Sequence, residues 1–310
     1  MKYSGGGEMV NRQLIDLGIS RGHQISTTSI RNRKLEIQED ADLYMLADIF
    51  NFPHTIKSRG NWIKFSEKFL NEVMLNKPFM HLNNAYSDIC NLGYLPCSGK
   101  VEKSCKFKSK SRIKQNLITR DFSNNCFSFK DIVRQSYLKS VANIFVSPLH
   151  REVISKSVRI PENHKSLILN PIINTSVFKN YNSERDIEFL FVGVLSEAKG
   201  YFELREKFRD KNIHLVGDIH PDINLDFGTY LGKLSYNEIP LIMNRAKNFV
   251  YLPRWPEPQG RVVVEAALSG CKLITNENVG ALSFPYDISD PRNIEKSGEV
   301  FWEELEELMK

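Results

Sequence analysis

Long apolar runs are missing from this sequence. None approaches the roughly 18 residues that a membrane-spanning helix needs, so no span is expected. The opening, MKYSGGGEMV, has no apolar centre of the secretory-leader kind, which sets the expectation of a cytoplasmic protein. Cysteine is scarce: five in 310 residues, an odd number, which argues against a disulfide framework. Cys90, Cys97, Cys105 and Cys126 fall in one third of the chain at spacings of seven, eight and twenty-one residues. Structural zinc uses shorter cysteine pairs, so these are read as ordinary thiols, with a zinc site the lesser alternative. No metal site is expected.

A large excess of one charge is also missing. The net charge is +5, with 25% of residues charged and 41% hydrophobic, ordinary values for a globular chain. The excess is local, because Gly99–Lys114 carries seven Lys or Arg and one Glu. A solvated loop or helix face is the plain reading. The functional one is peripheral contact of Lys100–Lys114 with an anionic surface, either lipid headgroups on the inner face of a membrane or a phosphorylated acceptor. Nothing around it is interleaved with aromatics, so nucleic acid is not an expected partner.

What is present is alternation. Short apolar runs alternate with longer amphipathic stretches, the pattern of a parallel α/β protein. The first half reads as a helix from Glu8 to about Arg21 with Val10, Leu14 and Leu17 on one face, ended by Gly22. Strand HQISTTSI, strand ADLYMLADIF, helix WIKFSEKFLNEVML and strand PFMHLN follow, then helix FKDIVRQSYLKSVA and strand NIFVSP. The second half gives strand IEFLFVG, helix KGYFELREKFRD, strand NIHLVGD and helix SYNEIPLIMNRA, whose Ser235 and Glu238 fit a capping box. Strand KNFVYLP, helix GRVVVEAALSG and strand CKLITN close it before a terminal helical segment. The polar stretch between the halves sets two α/β domains, residues 1–172 and 173–290. Residues 291–310 form a terminal helix that packs back toward the first.

One residue is out of place in this pattern. Glu265 sits among Val262, Val263, Val264, Ala266, Ala267 and Leu268, so its helix must be largely buried. A buried carboxylate is costly without a partner. Pairing with Arg261 one turn back is the structural explanation. A ligand is the other: Glu257, in a proline-flanked loop eight positions earlier, and Glu265 can both meet a molecule lying across the helix start. Gly260 permits close backbone approach there, helix-start N–H groups favour phosphate, and carboxylates accept from sugar and ribose hydroxyls.

With that pair, PEPQGRVVVEAALSGCKLI resembles the donor-site segment of retaining glycosyltransferases of family 4. FLFVGVLSEAKG is similar to that family's strand, Gly, loop and Lys-Gly element, and SGGGEMVNRQLIDLGISRGHQI to its opening Gly-rich loop and helix. FVSPLHREVI followed by ILNPIINTSVF resembles its interdomain passage. The resemblance runs through nearly the whole chain in the family's order. It implies the GT-B architecture, two Rossmann-like domains facing a cleft, and transfer of a sugar from a nucleotide-diphosphate sugar to an acceptor hydroxyl with retained configuration. The implied setting is surface polysaccharide or glycolipid assembly, with a glycan or lipid-linked acceptor. The nucleotide-diphosphate sugar is a co-substrate, and neither a metal nor another cofactor is implied.

By the same resemblance, Glu265 accepts from the ribose, Glu257 contacts the transferred sugar, and the backbone near Gln259 and Gly260 approaches the sugar or diphosphate. Lys199 neutralises the leaving diphosphate, and Gly193 begins the loop that carries it. Gly5, Gly6 and Gly7 face the cleft ahead of the first helix, and His81, placed at a strand end, contacts sugar or acceptor or is simply structural. Two departures stand out. Val194 replaces the family's usual Arg, and Arg261 is the candidate for supplying the lost charge at the diphosphate. Only Met1–Tyr3 precede the Gly-rich loop, so either the start lies upstream or the first domain lacks its first strand. These departures favour the alternative, a non-catalytic relative that binds nucleotide sugar or a partner enzyme.

Overall fold

Each half of the chain builds a parallel sheet, because each of its apolar runs is separated from the next by a stretch long enough to cross back. The computed structural model describes residues 6–27, 38–47, 68–73, 77–90, 93–98 and 126–310. They fall into two compact units. The first takes the described residues up to Val146 together with Arg151–Leu169 and Glu304–Lys310; the second takes Ser147–His150 and Asn170–Glu303.

In the first unit, strands β1 (Tyr44–Ala47), β2 (Phe79–Leu82), β3 (Ala142–Phe145) and β4 (Ser166–Ile168) pair in that order, all parallel. Every residue of β2 and β3 is buried, as strands covered on both faces must be. Helix α1 (Gly6–Ser20) buries Val10, Leu14 and Gly18. It ends in a Schellman turn: His23 N–H donates to Gly18, Gly22 N–H to Ile19, and Gly22 takes the left-handed φ of +97°. The expected strand over 23–30 is not present in its described part, residues 23–27. Ile25 is the lone aliphatic side chain there, too little to anchor a strand on the core. Residues 68–73 are helical within the stretch read as a helix, and α2 (Asp131–Lys139) matches its sequence.

Helix α3 (Pro148–Val158) occupies the stretch taken for a passage between domains. Its start follows a common rule, with proline at the first helical position and the Ser147 hydroxyl accepting from His150 N–H at 3.0 Å.

In the second unit, β5 (Ile187–Val192), β6 (Ile213–Val216), β7 (Thr229–Gly232), β8 (Ala246–Tyr251) and β9 (Lys272–Thr275) stand in the order β7-β6-β5-β8-β9, all parallel. Between them run α4 (Tyr201–Phe208), α5 (Ile239–Arg245) and α6 (Arg261–Leu268). Strand β7 is new relative to the sequence reading; its four residues are largely exposed at the sheet edge and show no apolar alternation. Leu190, Phe191, Leu204, Ile213, Leu215, Met243, Phe249, Val263 and Val264 are all fully buried and form the core. This is the Rossmann-type order, in which the chain leaves β5 in one direction and later returns to its other side as β8. Ligands of such sheets bind where the order reverses, beyond the carboxyl ends of those two strands. Helix α7 (Ser297–Met309) follows a short turn at Pro291–Asn293.

Candidate functional site

The point of reversal is where the chemistry collects. Strand β5 ends at Val192, and Gly193 opens a loop that reaches Lys199 and Gly200. Gly200 begins α4 in the left-handed region, φ +83°, and a Cβ on it would lie 1.8 Å from the Leu252 carbonyl oxygen. No other residue fits, and the absence of a side chain lets the loop after β5 lie against the loop after β8. Arg254 N–H donating to Ala198 at 3.2 Å joins the same two loops.

The loop after β8 carries Glu257 between Pro256 and Pro258. Backbone bonds from Glu257 N–H to Asn278 (2.7 Å), Gly280 N–H to Glu257 (3.0 Å) and Ala281 N–H to Gln259 (2.6 Å) strap it to the segment after β9. The Ser147 hydroxyl donates to the Pro258 carbonyl at 2.5 Å. Glu257 is therefore held on a fixed backbone, and Gln259 is buried by the same strap.

Lys199 Nζ meets Glu257 Oε2 at 2.5 Å and stands 5.9 Å over the Tyr251 ring. Burial works against the Lys199 ammonium, but the Glu257 carboxylate and Tyr251 outweigh it and hold the pKa above the ordinary lysine value. The lysine is charged. Tyr251 itself is buried, and burial together with the Glu257 charge keeps its hydroxyl protonated.

Gly260, φ +77°, turns the chain into α6, where a Cβ would press on Val279 at 3.2 Å. Glu265, 6% exposed, lies one turn beyond Arg261. Arg261 Nη2 is 3.5 Å from its Oε1, and the Tyr236 hydroxyl donates to the same oxygen at 3.1 Å. Burial raises the Glu265 pKa, and Arg261 and Tyr236 oppose that rise. The local pairing weighed from the sequence is thus present. Arg261, the candidate for the diphosphate, is instead turned onto a carboxylate. Val194 is 42% exposed, a neutral side chain in the loop after β5.

The structure brings Lys199 and Glu257 into contact and places Gly193, Gln259, Gly260, Arg261 and Glu265 on the loops and helix around the same strand ends. Sequence reasoning missed Tyr236 and Tyr251. Tyr251 had a signal, being the last residue of a recognised strand, whereas Tyr236 sits in a polar turn with none.

The remaining candidates belong to the first unit. Helix α1 already includes Gly6 and Gly7, starting earlier than the expected Glu8, and a Cβ on Gly7 would be 3.3 Å from Asn84. Gly5 lies outside the described residues. His81 is the third of the four residues of β2, one before its carboxyl end, and its side chain is fully buried and stacked on Tyr137 with centroids 4.5 Å apart. Burial lowers its pKa to about 4, partly opposed by Asn83.

Cys105 and the whole of Gly99–Lys114 also lie outside the described residues. Cys90, Cys97 and Cys126 form no disulfide, and no cluster of three or more metal-ligating side chains occurs among the described residues. None of the described helices is long and apolar enough to cross a membrane.

No family model matches the chain. A Klebsiella pneumoniae protein described as an uncharacterised 42.6 kDa protein in the cps region is 26% identical over 275 residues, 78% of this chain and 65% of that protein. The chain thus spans less than two thirds of that relative's length. Among solved structures, AviGT4, a glycosyltransferase involved in avilamycin A biosynthesis, gives a TM-score of 0.40 at 12% identity, over 54% of this chain and 63% of that one. Anabaena HepE, solved with UDP and glucose, gives 0.43 at 15% identity, over 78% of this chain and 68% of that one. The pneumococcal O-GlcNAc transferase GtfA, solved with UDP and GlcNAc, gives 0.42 at 14% identity, over 79% and 54%.

Proposed function

We propose that the second unit holds a nucleotide-diphosphate sugar beyond β5 and β8, and that the protein is a retaining glycosyltransferase of family 4 with the GT-B architecture. The observation that carries this is the meeting of Lys199 and Glu257, with Glu265 buried in the helix that starts just after the Glu257 loop, where a Rossmann-type sheet takes its ligands. A cation beside hydroxyl-accepting carboxylates suits a diphosphate flanked by two sugars. Neighbouring structures solved with UDP and a sugar are in keeping with such a donor, and a relative from a cps region with a surface-polysaccharide setting.

In the reaction, the bond between the sugar's anomeric carbon and the diphosphate oxygen breaks and the nucleoside diphosphate leaves. Negative charge grows on that oxygen, and Lys199, kept protonated by its surroundings, is placed to stabilise it. The acceptor oxygen bonds to the anomeric carbon on the same face, and its proton passes to the departing phosphate oxygen. Glu257, on its strapped backbone, orients the transferred sugar through its hydroxyls. Glu265 holds the ribose. The acceptor is a glycan or lipid-linked hydroxyl, and the basic segment at Lys100–Lys114 is the proposed point of contact with an anionic membrane.

The test is turnover. The protein is incubated with a panel of nucleotide-diphosphate sugars and candidate acceptors, and product configuration is read by NMR. Release of nucleoside diphosphate with a product of the donor's own anomeric configuration supports the reading; an inverted product removes the retaining assignment. Val194 favours a second reading, a non-catalytic protein that binds the donor without turning it over, and tight binding with no release in the presence of acceptor supports that one.

A further inference from the structure

A carboxylate in a buried helix is usually satisfied by the nearest cation. Here two groups converge on a single oxygen. The Tyr236 hydroxyl donates to Glu265 Oε1 at 3.1 Å, and Arg261 Nη2 reaches both that oxygen (3.5 Å) and the Tyr236 hydroxyl (3.4 Å). The relay therefore runs from guanidinium to phenol to carboxylate, with each donor used in one direction. Oε2 accepts no hydrogen bond from the described residues. The tyrosine is itself held: its ring packs against buried Phe178 with centroids 5.4 Å apart, and Ser235 N–H donates to Glu238 at 2.7 Å, fixing the turn on which it stands.

A carboxylate that is only 6% exposed can turn about its last torsion unless something pins it. Pinning Oε1 decides which way the other oxygen faces. From this we infer that Tyr236, braced by Arg261, is a positioning residue that presents Glu265 Oε2 to the ribose hydroxyls, so that the pair Tyr236 and Glu265 selects ribonucleotide over deoxyribonucleotide donors. This rests on the reading of the second unit as a nucleotide-sugar site and adds to it. It also reassigns Arg261 from the diphosphate to Glu265, the carboxylate proposed to hold the ribose. The burial of Glu265 gives the relay a second role, because a phenol and a guanidinium at Oε1 favour the ionised form, which accepts hydrogen bonds from hydroxyls.

The experiment compares wild type with Tyr236→Phe by calorimetry. Wild type is titrated with ADP, GDP and UDP, and the one that binds is then compared with its 2′,3′-dideoxy analogue. Wild type is expected to prefer the ribose form by about tenfold or more, the scale of one hydrogen bond to a charged group. Tyr236→Phe keeps the ring on Phe178, and its melting temperature is checked to stay near wild type. Its preference is expected to fall to about twofold, with the dideoxy affinity hardly changed. A variant that weakens both ligands equally has lost site structure, not ribose orientation, and overturns the inference. So does an unchanged preference. If no nucleoside diphosphate binds wild type, the nucleotide-site reading itself fails, an outcome distinct from either.

Discussion

Lys199 Nζ and Glu257 Oε2 stand 2.5 Å apart although their residues are 58 positions distant and follow different strands. Each comes from a loop at the carboxyl end of its strand, and Gly200 makes the meeting possible by leaving room for the Leu252 carbonyl. The pair sets a protonated amine against a carboxylate where a Rossmann-type sheet binds ligands, so their contributions to function are coupled.

Removing either partner therefore does more than remove one group. Lys199→Ala is expected to lower transfer by roughly 10²–10³-fold, the scale of losing a charge-stabilising donor. Glu257→Gln lowers it too, and the double variant Lys199→Ala/Glu257→Gln costs no more than the worse single one. Initial rates with saturating donor decide this. Multiplying losses contradict the coupling.

Gly200 and Gly22 both adopt positive φ, and they separate backbone strain from collision. A Cβ on Gly22 meets nothing within 4 Å, whereas one on Gly200 overlaps the Leu252 carbonyl. Gly22→Ala is expected to cost about 1 kcal/mol from the left-handed backbone alone. Gly200→Ala is expected to cost about 3 kcal/mol or more, because the two loops must part. Urea unfolding measures both; equal losses contradict the close approach.

The sequence pattern made much of this visible for a physical reason. Strands β5 and β8 bury most of their residues in a core, so their apolar runs stand out, and Glu265 stands out because it follows three valines and precedes two alanines. The contacts that hold the site are less visible. Glu257 is strapped through backbone groups of Asn278 and Gly280, and a backbone bond leaves no mark on side-chain type. Tyr236 lies in the polar turn SYNE and finds its partner 29 positions away. Strand β7 escaped notice because its edge position requires no apolar face. The strand expected at HQISTTSI, absent from its described residues 23–27, had the opposite fault there, a propensity pattern with one aliphatic side chain to bury.

His81 gives the first unit a defined acid response. An unfolded histidine takes its proton near pH 6.5, while folded His81, held neutral by burial, takes it only near pH 4. Between those values the unfolded state binds more protons, so stability present above pH 6.5 is lost as the pH falls toward 4. The urea midpoint of wild type should fall more steeply between pH 7 and 5 than that of His81→Leu. Parallel slopes contradict the buried neutral histidine.

Glu306 adds a response at lower pH. Hydrogen bonds from Arg21 (2.6 Å) and His23 (3.0 Å) depress its carboxyl to about 2. Its folded form thus binds fewer protons than the unfolded chain below the ordinary carboxylate range, and the stability it contributes is lost as pH falls from about 4.5 toward 2. The gap in melting temperature between wild type and Glu306→Gln should be widest near neutral pH and close in acid. A gap that stays constant down to pH 3 contradicts it.

The central claim is that Lys199, Glu257 and Glu265 form a nucleotide-sugar site, and calorimetric titration with a panel of nucleotide-diphosphate sugars tests it most directly. One donor should bind wild type, and Glu265→Gln and Lys199→Ala should each weaken it by about tenfold or more. No binding to wild type by any donor, or binding that both substitutions leave unchanged, would contradict the account.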